Sequence, residues 1–183
     1  MQQIEKATLA GGCFWCTEAI FKRINGITKV TSGYTGGQRP DPTYAQVSTG
    51  VTGHTEAIQL EFDPEVISYT KILDIFWHLV DPTTLNQQGA DVGTQYRSVI
   101  LYHNEQQRDL AEKSRQSMEE SKYYSSPIVT EIGPLQTFYS AEDYHQNYFD
   151  NNPAQPYCSL VINPKIQKLV ELYNADVKEE YKK

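Results

Sequence analysis

The segment GGCFWC, residues 11–16, sets two thiols three positions apart around a Phe-Trp pair. Three kinds of chemistry use that spacing: a zinc site, a redox pair, and the packing of small apolar thiols. Zinc wants about four Cys, His or carboxylate ligands. Beyond this C-x-x-C the chain offers Cys158 and four scattered histidines, His54, His78, His103 and His145, with no second C-x-x-C and no H-x-x-x-H. Packing suits Cys158, which shares period-2 parity with Leu160 and Ile162 in the apolar run CSLVI. It suits Cys13 poorly. Gly11 and Gly12 let backbone approach a ligand closely, and they are expected to aim N–H groups and the positive end of a helix at Cys13, which favours a thiolate. Cysteines at i and i+3 of a helix start come within disulfide reach after a small local adjustment, so one can attack and the other resolve. The two aromatics between them argue for a pocket that takes an apolar group beside sulfur, which plain thiol exchange does not need.

A carboxylate stands out in HTEAIQLEF, residues 54–62. Ile58, Leu60 and Phe62 share one face of an alternating strand, Gln59 and Glu61 the other, and Glu56 has the parity of the apolar face. Two readings stay open. Either Glu56 is desolvated, which raises its pKa and makes it a general acid at neutral pH, or it lies at the strand end and reaches water or an arginine, Arg23, Arg39 or Arg97. Tyr44 and Tyr96 flank this strand in sequence. Each alone reads as a packing residue with a wet hydroxyl; together they supply neutral donors to a polar oxygen.

The elements that must position these groups alternate irregularly. Strands are predicted over 6–10, 27–34, 54–62 and 97–102, with short candidates at 128–132 and 135–139. Helices are predicted over 17–24, 68–79 and 104–122, the last capped by Asn104. The run Ser140-Ala-Glu-Asp143 resembles a capping box opening a short helix through Tyr148, and a C-terminal helix starts at Pro164. Residues 81–95 form a polar loop long enough to suggest function. This mixture favours an α+β fold with helices packed on a mostly antiparallel sheet. Without repeats or linkers, 1–183 reads as a single domain, with a core of about 5–170 and a charged C-terminal tail.

Net charge is −7, from 16 basic against 23 acidic residues, which argues against a nucleic-acid partner. No apolar stretch is long enough to span a membrane. The opening MQQIEKATLA lacks the apolar core of a signal peptide. Three cysteines, an odd count, argue against a disulfide framework. A cytoplasmic, reduced setting and a monomer are expected.

At this point the residues resemble a known family, the A-type peptide methionine sulfoxide reductases. GCFWC is similar to its GCFW signature, and PTYAQVSTGVTGHTEAI (42–58), DVGTQYRS (91–98), AEDYHQNYF (141–149) and NPAQPYC (152–158) match further segments in the same order. The resemblance implies a ferredoxin-like two-layer sandwich with a mixed, mostly antiparallel sheet, and no bound cofactor or metal. It implies Cys13 as the nucleophile and Glu56 as the acid. Phe14 and Trp15 would line a pocket for the substrate methyl, Tyr44 and Tyr96 would bind the sulfoxide oxygen with Asp91 nearby, and Tyr148 and Tyr157 would complete the pocket. Many members carry Gly where this chain has Cys16 and place resolving cysteines in a Gly-rich tail; here the tail after Ile162 has neither Cys nor Gly. Cys16 is then expected to resolve the Cys13 sulfenic acid, with Cys158 as the alternative. The implied substrates are methionine S-sulfoxide, free or in oxidised proteins, and the implied reductant is thioredoxin. Two other readings are a general thiol-disulfide exchanger, and a non-enzymatic metal-binding or redox-sensing module.

Overall fold

The computed structural model describes residues 3–182. Along the chain run β1 (Glu5–Ala10), α1 (Phe14–Lys22), β2 (Ile27–Thr35), the one-turn α2 (Tyr44–Val47), β3 (Thr55–Phe62) and α3 (Tyr69–Leu79). A small ribbon of β4 (Gln87–Gln88) and β5 (Asp91–Val92) follows, then β6 (Val99–Tyr102), α4 (Glu105–Ser121), β7 (Glu131–Pro134) and β8 (Tyr139–Ser140). The one-turn α5 (Tyr148–Asn151) and α6 (Asn163–Tyr173) complete the order.

The main sheet has the order β7-β6-β1-β3-β2-β8. Its four central strands, β6-β1-β3-β2, pair antiparallel at every step. With α1 and α3 as crossovers this is the βαββαβ ferredoxin-like plait that the resemblance implies. β7 adds in parallel outside β6, and β8 antiparallel outside β2. Strand alternation decides what faces where. Leu9, Ile58, Leu60 and Phe62 share one core with Ile20 and Phe21 of α1 and Ile72 and Phe76 of α3. Ala10, Ala57, Val99 and Leu101 point to the other face, covered by Leu135 and Phe138. Small side chains suffice there because only a connecting segment lies over them. No helix of the described residues is long and apolar enough to cross a membrane.

Several expected elements hold at the level of single residues. Ser68 caps α3 by accepting the Lys71 N–H at 3.1 Å, and the predicted stripe Ile72, Ile75, Phe76, Leu79 is buried. Asn104 caps α4 through the Gln107 N–H at 2.9 Å. α1 starts three residues earlier than expected, at Phe14. Other expectations fail for local reasons. The strand expected over 128–132 begins only at Glu131, because the Val129 N–H is taken by the Pro82 carbonyl instead of a ladder. Residues 135–138 form no strand, and β8 is two residues long. Ser140 caps nothing: it pairs with Gly33 in the sheet, and a single 3₁₀ turn follows over Asp143–His145. The run 158–162 is a π-helical turn, not a strand. Cys158 and Ile162 are buried while Leu160 is 76% exposed, so the apolar spacing is four, not two. That turn flows into α6, with Pro164 in its first turn, where a missing N–H costs nothing.

Candidate active site

Cys13 ends the strand-to-helix junction as the cap residue of α1, and its carbonyl accepts from the Cys16 N–H at 3.1 Å. This turn brings the two thiols into electrostatic contact, and both cysteines are free and buried. Gly11 and Gly12 serve packing rather than a ligand. A Cβ on Gly11 would lie 2.5 Å from Val80, and one on Gly12, at φ +76°, would lie 2.7 Å from the Gln88 side chain. The Gly12 N–H is not aimed at Cys13 either. It donates to the Tyr96 carbonyl at 3.1 Å, which fixes Tyr96 beside the helix start.

Glu56 is 2% exposed, and its Oε2 accepts the Phe14 N–H at 2.9 Å. Two of the arginine alternatives are engaged elsewhere, Arg23 with Asp150 at 2.8 Å and Arg97 with the Gly53 and Thr94 carbonyls, and Arg39 is exposed. Burial pushes the Glu56 carboxyl up to about 8, and the Phe14 N–H only partly offsets it. The desolvated reading of Glu56 therefore holds, and the group is a protonated acid at neutral pH.

The Cys13 thiol is not held as the thiolate expected at a helix start. Burial, the Cys16 thiol and the nearby Glu56 charge push Cys13 well above its ordinary value, against one favourable Trp15 N–H. Cys16 is lowered to about 7, chiefly by the hydrogen bond from Cys13, aided by Lys165 and Tyr157. The helix start does not overcome the burial of Cys13, which favours its neutral thiol.

Around this buried floor stands a half-buried aromatic rim. Trp15 stacks on Tyr148 with centroids 3.7 Å apart and planes 7° off parallel, and Tyr157 meets Trp15 edge-on at 5.8 Å. Tyr44 and Tyr96 lie within electrostatic reach of both Glu56 and Cys13; burial, then Glu56, raises both phenols, so their hydroxyls stay donors. The Tyr157 hydroxyl donates to Asp91 Oδ2 at 2.6 Å and lies 3.6 Å from Cys16 Sγ. Thus the ten residues singled out from sequence, Cys13, Phe14, Trp15, Cys16, Tyr44, Glu56, Asp91, Tyr96, Tyr148 and Tyr157, converge on one place.

Their supports were not legible. Trp15 donates its indole N–H to His145 Nδ1 at 3.1 Å, and the imidazole packs against Phe14 and Tyr44. Burial lowers the His145 pKa, so the ring is a neutral acceptor here. Glu142 holds two pocket segments together, accepting from the Tyr34 hydroxyl at 2.9 Å and the Tyr44 N–H at 3.1 Å. Glu18, one turn after Trp15 and buried, accepts the Asn147 N–H at 2.8 Å and so sets the start of α5 and Tyr148. Asp91 is placed by the β4–β5 ribbon, itself tied down by Gln88 to both backbone groups of Asp81. The one available signal was a charged or imidazole residue inside an otherwise aromatic stretch.

The remaining histidines are dispersed. His54 is bound by the Gly37 N–H and faces the Arg39 carbonyl, His103 pairs with Thr8, and His78 with Tyr173. Among the described residues no three His, Cys, Asp or Glu side chains are grouped as a metal ion would need.

A floor of one acid and two thiols beneath an aromatic cage suits a small group with an apolar methyl and a polar oxygen on sulfur. Comparison with known proteins points the same way. Residues 5–178 match the family model described as peptide methionine sulfoxide reductase. The chain is 53% identical over 175 residues to a peptide methionine sulfoxide reductase MsrA of Saccharolobus solfataricus, covering 96% of this chain and 98% of the relative. Among solved structures it is similar to reduced Mxr1 from Saccharomyces cerevisiae, with a TM-score of 0.80 and 36% identity over 85% of this chain and 90% of the other. It is also similar to Mxr1 in complex with Trx2, with a TM-score of 0.58 and 26% identity over 80% and 85% of the two chains.

Proposed function

The chain belongs to the peptide methionine sulfoxide reductase family, and from that premise we propose that Cys13, Glu56 and Cys16 carry a thiol-dependent reduction of methionine S-sulfoxide. The observation that carries this reading is the buried Glu56 carboxyl, hydrogen-bonded to the first N–H of the helix that Cys13 caps; its burial favours the protonated acid.

The sulfoxide methyl enters between Phe14 and Trp15, with Tyr148 and Tyr157 closing the cage. The oxygen takes hydrogen bonds from Glu56, Tyr44 and Tyr96, and Asp91 stands at the rim for the polar part of the substrate. As Cys13 sulfur attacks the sulfoxide sulfur, Glu56 gives its proton to the oxygen, so no free oxyanion forms. The oxygen then passes from the methionine sulfur to the Cys13 sulfur: the sulfoxide S–O bond breaks, the Cys13 S–O bond forms, methionine leaves reduced and Cys13 is oxidised to a sulfenic acid; the Cys13 proton replaces the one Glu56 gave. Cys16 then attacks the Cys13 sulfur, water leaves, and a Cys13–Cys16 disulfide remains. An external dithiol restores both thiols. Thioredoxin fits this role, since the related Mxr1 forms a complex with Trx2.

On this reading residues 1–183 act as one catalytic domain without a bound cofactor, a monomer that repairs oxidised methionine in proteins or free in the cytoplasm. Turnover of the two sulfoxide epimers with thioredoxin tests it. The S-epimer is consumed and the R-epimer persists; consumption of both, or of neither, contradicts it.

A further inference from the structure

The pocket residues Tyr157 and Asp91 also border a second cleft. It has a volume of about 400 Å³ and is lined by Gln88, Asp91, Tyr157 and Lys165 among others. Tyr157 spans from the Cys16 sulfur at 3.6 Å to the Asp91 carboxylate at 2.6 Å. Lys165 sits in the first turn of α6, directly after the π-helical turn that begins at Cys158. It is half-buried, and among the described residues it makes no hydrogen bond or ion pair. A lysine with this freedom would ordinarily extend into water or find a carboxylate. Lys168, one turn further on, does bond, to the His78 carbonyl at 2.7 Å. Lys165 instead borders the cleft beside the Cys16–Tyr157–Asp91 chain.

We propose that Lys165 is a positioning residue of the resolving step, its ammonium favouring the Cys16 thiolate while Tyr157 and Asp91 form the path by which the thiol proton leaves. The proposal rests on the sulfoxide reductase reading above. The step balances without an added reagent. Cys13–S–OH and Cys16–S–H give Cys13–S–S–Cys16 and water. The S–O bond breaks and the S–S bond forms, Cys13 sulfur is reduced and Cys16 sulfur oxidised, the Cys16 proton passes through Tyr157 to Asp91 and solvent, and the departing oxygen takes one proton from solvent to leave as water.

The charges facing Cys16 come from every side. Cys13 lies on its own turn, Glu56 on β3, Asp91 on β5, and Tyr157, Cys158 and Lys165 on the C-terminal segment. Cys13, Lys165 and Tyr157 favour the Cys16 thiolate; Asp91 and burial oppose it. Lys165 is the one permanent cation in the set, so its removal acts on Cys16 through charge alone. The charges felt at Glu56 come from Asp91 and Cys16 rather than Lys165, and the reductive step should not feel it.

The test follows both steps in Lys165→Met, Lys165→Arg and unaltered protein, each pre-reduced and mixed with methionine S-sulfoxide without external reductant. Methionine release reports the first step, and disappearance of a dimedone-reactive Cys13 reports the second. In Lys165→Met the methionine burst is expected to keep its amplitude. Its resolving rate should fall by about tenfold below pH 7 and converge with the unaltered protein above pH 9, as a raised thiol pKa requires. Lys165→Arg should restore the unaltered profile. A normal burst with an unshifted resolving profile overturns the role of Lys165 alone. Slowing by the same factor at every pH overturns it too, since that is the mark of a structural defect. No burst from the unaltered protein overturns the sulfoxide reductase reading and this proposal together.

Discussion

The Phe14 N–H and the Glu56 carboxyl lie 2.9 Å apart, joining the start of α1 to the start of β3. One hydrogen bond thereby fixes the distance between the nucleophile's helix and the acid. Sheet register makes it possible: Glu56 lies opposite Tyr34 across β2 and shares the parity of Ile58, so its side chain is carried into the core.

Glu56→Gln keeps a donor of similar shape but removes the transferable proton. Methionine release in a single turnover should slow by roughly 10²–10³-fold while the fold persists. An unchanged rate contradicts the acid role.

The same group makes a prediction about stability. The Glu56 pKa rises from 4.5 to about 8 on folding, so the folded protein keeps a proton that the unfolded chain releases. Its contribution is complete below pH 4.5 and is lost as pH climbs toward 8. Urea denaturation of Glu56→Gln and the unaltered protein should show the variant gaining about 2–3 kcal/mol on its parent between pH 5 and pH 7. An unchanged gap contradicts a buried, protonated carboxyl.

Cys16→Ser should complete one reduction and then stall with thioredoxin. Cys158→Ala should keep cycling, because Cys158 is 0% exposed within the core. Steady-state assays of both variants decide this. Normal recycling by Cys16→Ser, or its loss in Cys158→Ala with the fold intact, moves the resolving role to Cys158.

Trp15 touches the pocket through its face and its N–H. Trp15→Ala loses the Tyr148 stack and the His145 hydrogen bond and should raise KM by roughly tenfold. Trp15→Phe keeps an aromatic face and loses only the N–H, so its KM should lie between. Equal KM values in all three proteins contradict the cage.

Asp150 ties the pocket's far wall to α1. It pairs with Lys22 at 2.5 Å and with the buried Arg23 at 2.8 Å, beside Tyr148 and Phe149. Asp150→Asn leaves Arg23 with the Ala19 carbonyl and two aromatic faces. It should cost about 2–3 kcal/mol in denaturation and raise KM. No change in either shows that the pair does not hold Tyr148.

What was legible in the sequence were the properties that strand parity and helix caps dictate. The parity of Glu56 with Ile58 offered its burial as one of two readings, and the start of α3 followed from Ser68. What was not legible depended on long-range partners. The raised Cys13 thiol reflects burial by elements distant in sequence, which outweighs the helix start. Glu142 read as part of a capping box, yet it serves Tyr34 and Tyr44. Cys158 read as a strand residue because CSLVI fits two periods equally well, and only packing on α1 and α6 selects four.

The most direct measurement is a stoichiometric one. Pre-reduced protein is mixed with methionine S-sulfoxide in the absence of any reductant, and methionine formed and thiols lost are counted per chain. The account predicts about one methionine and two thiols, with peptide mapping placing the new disulfide between Cys13 and Cys16. No methionine, with all three thiols intact, would contradict it.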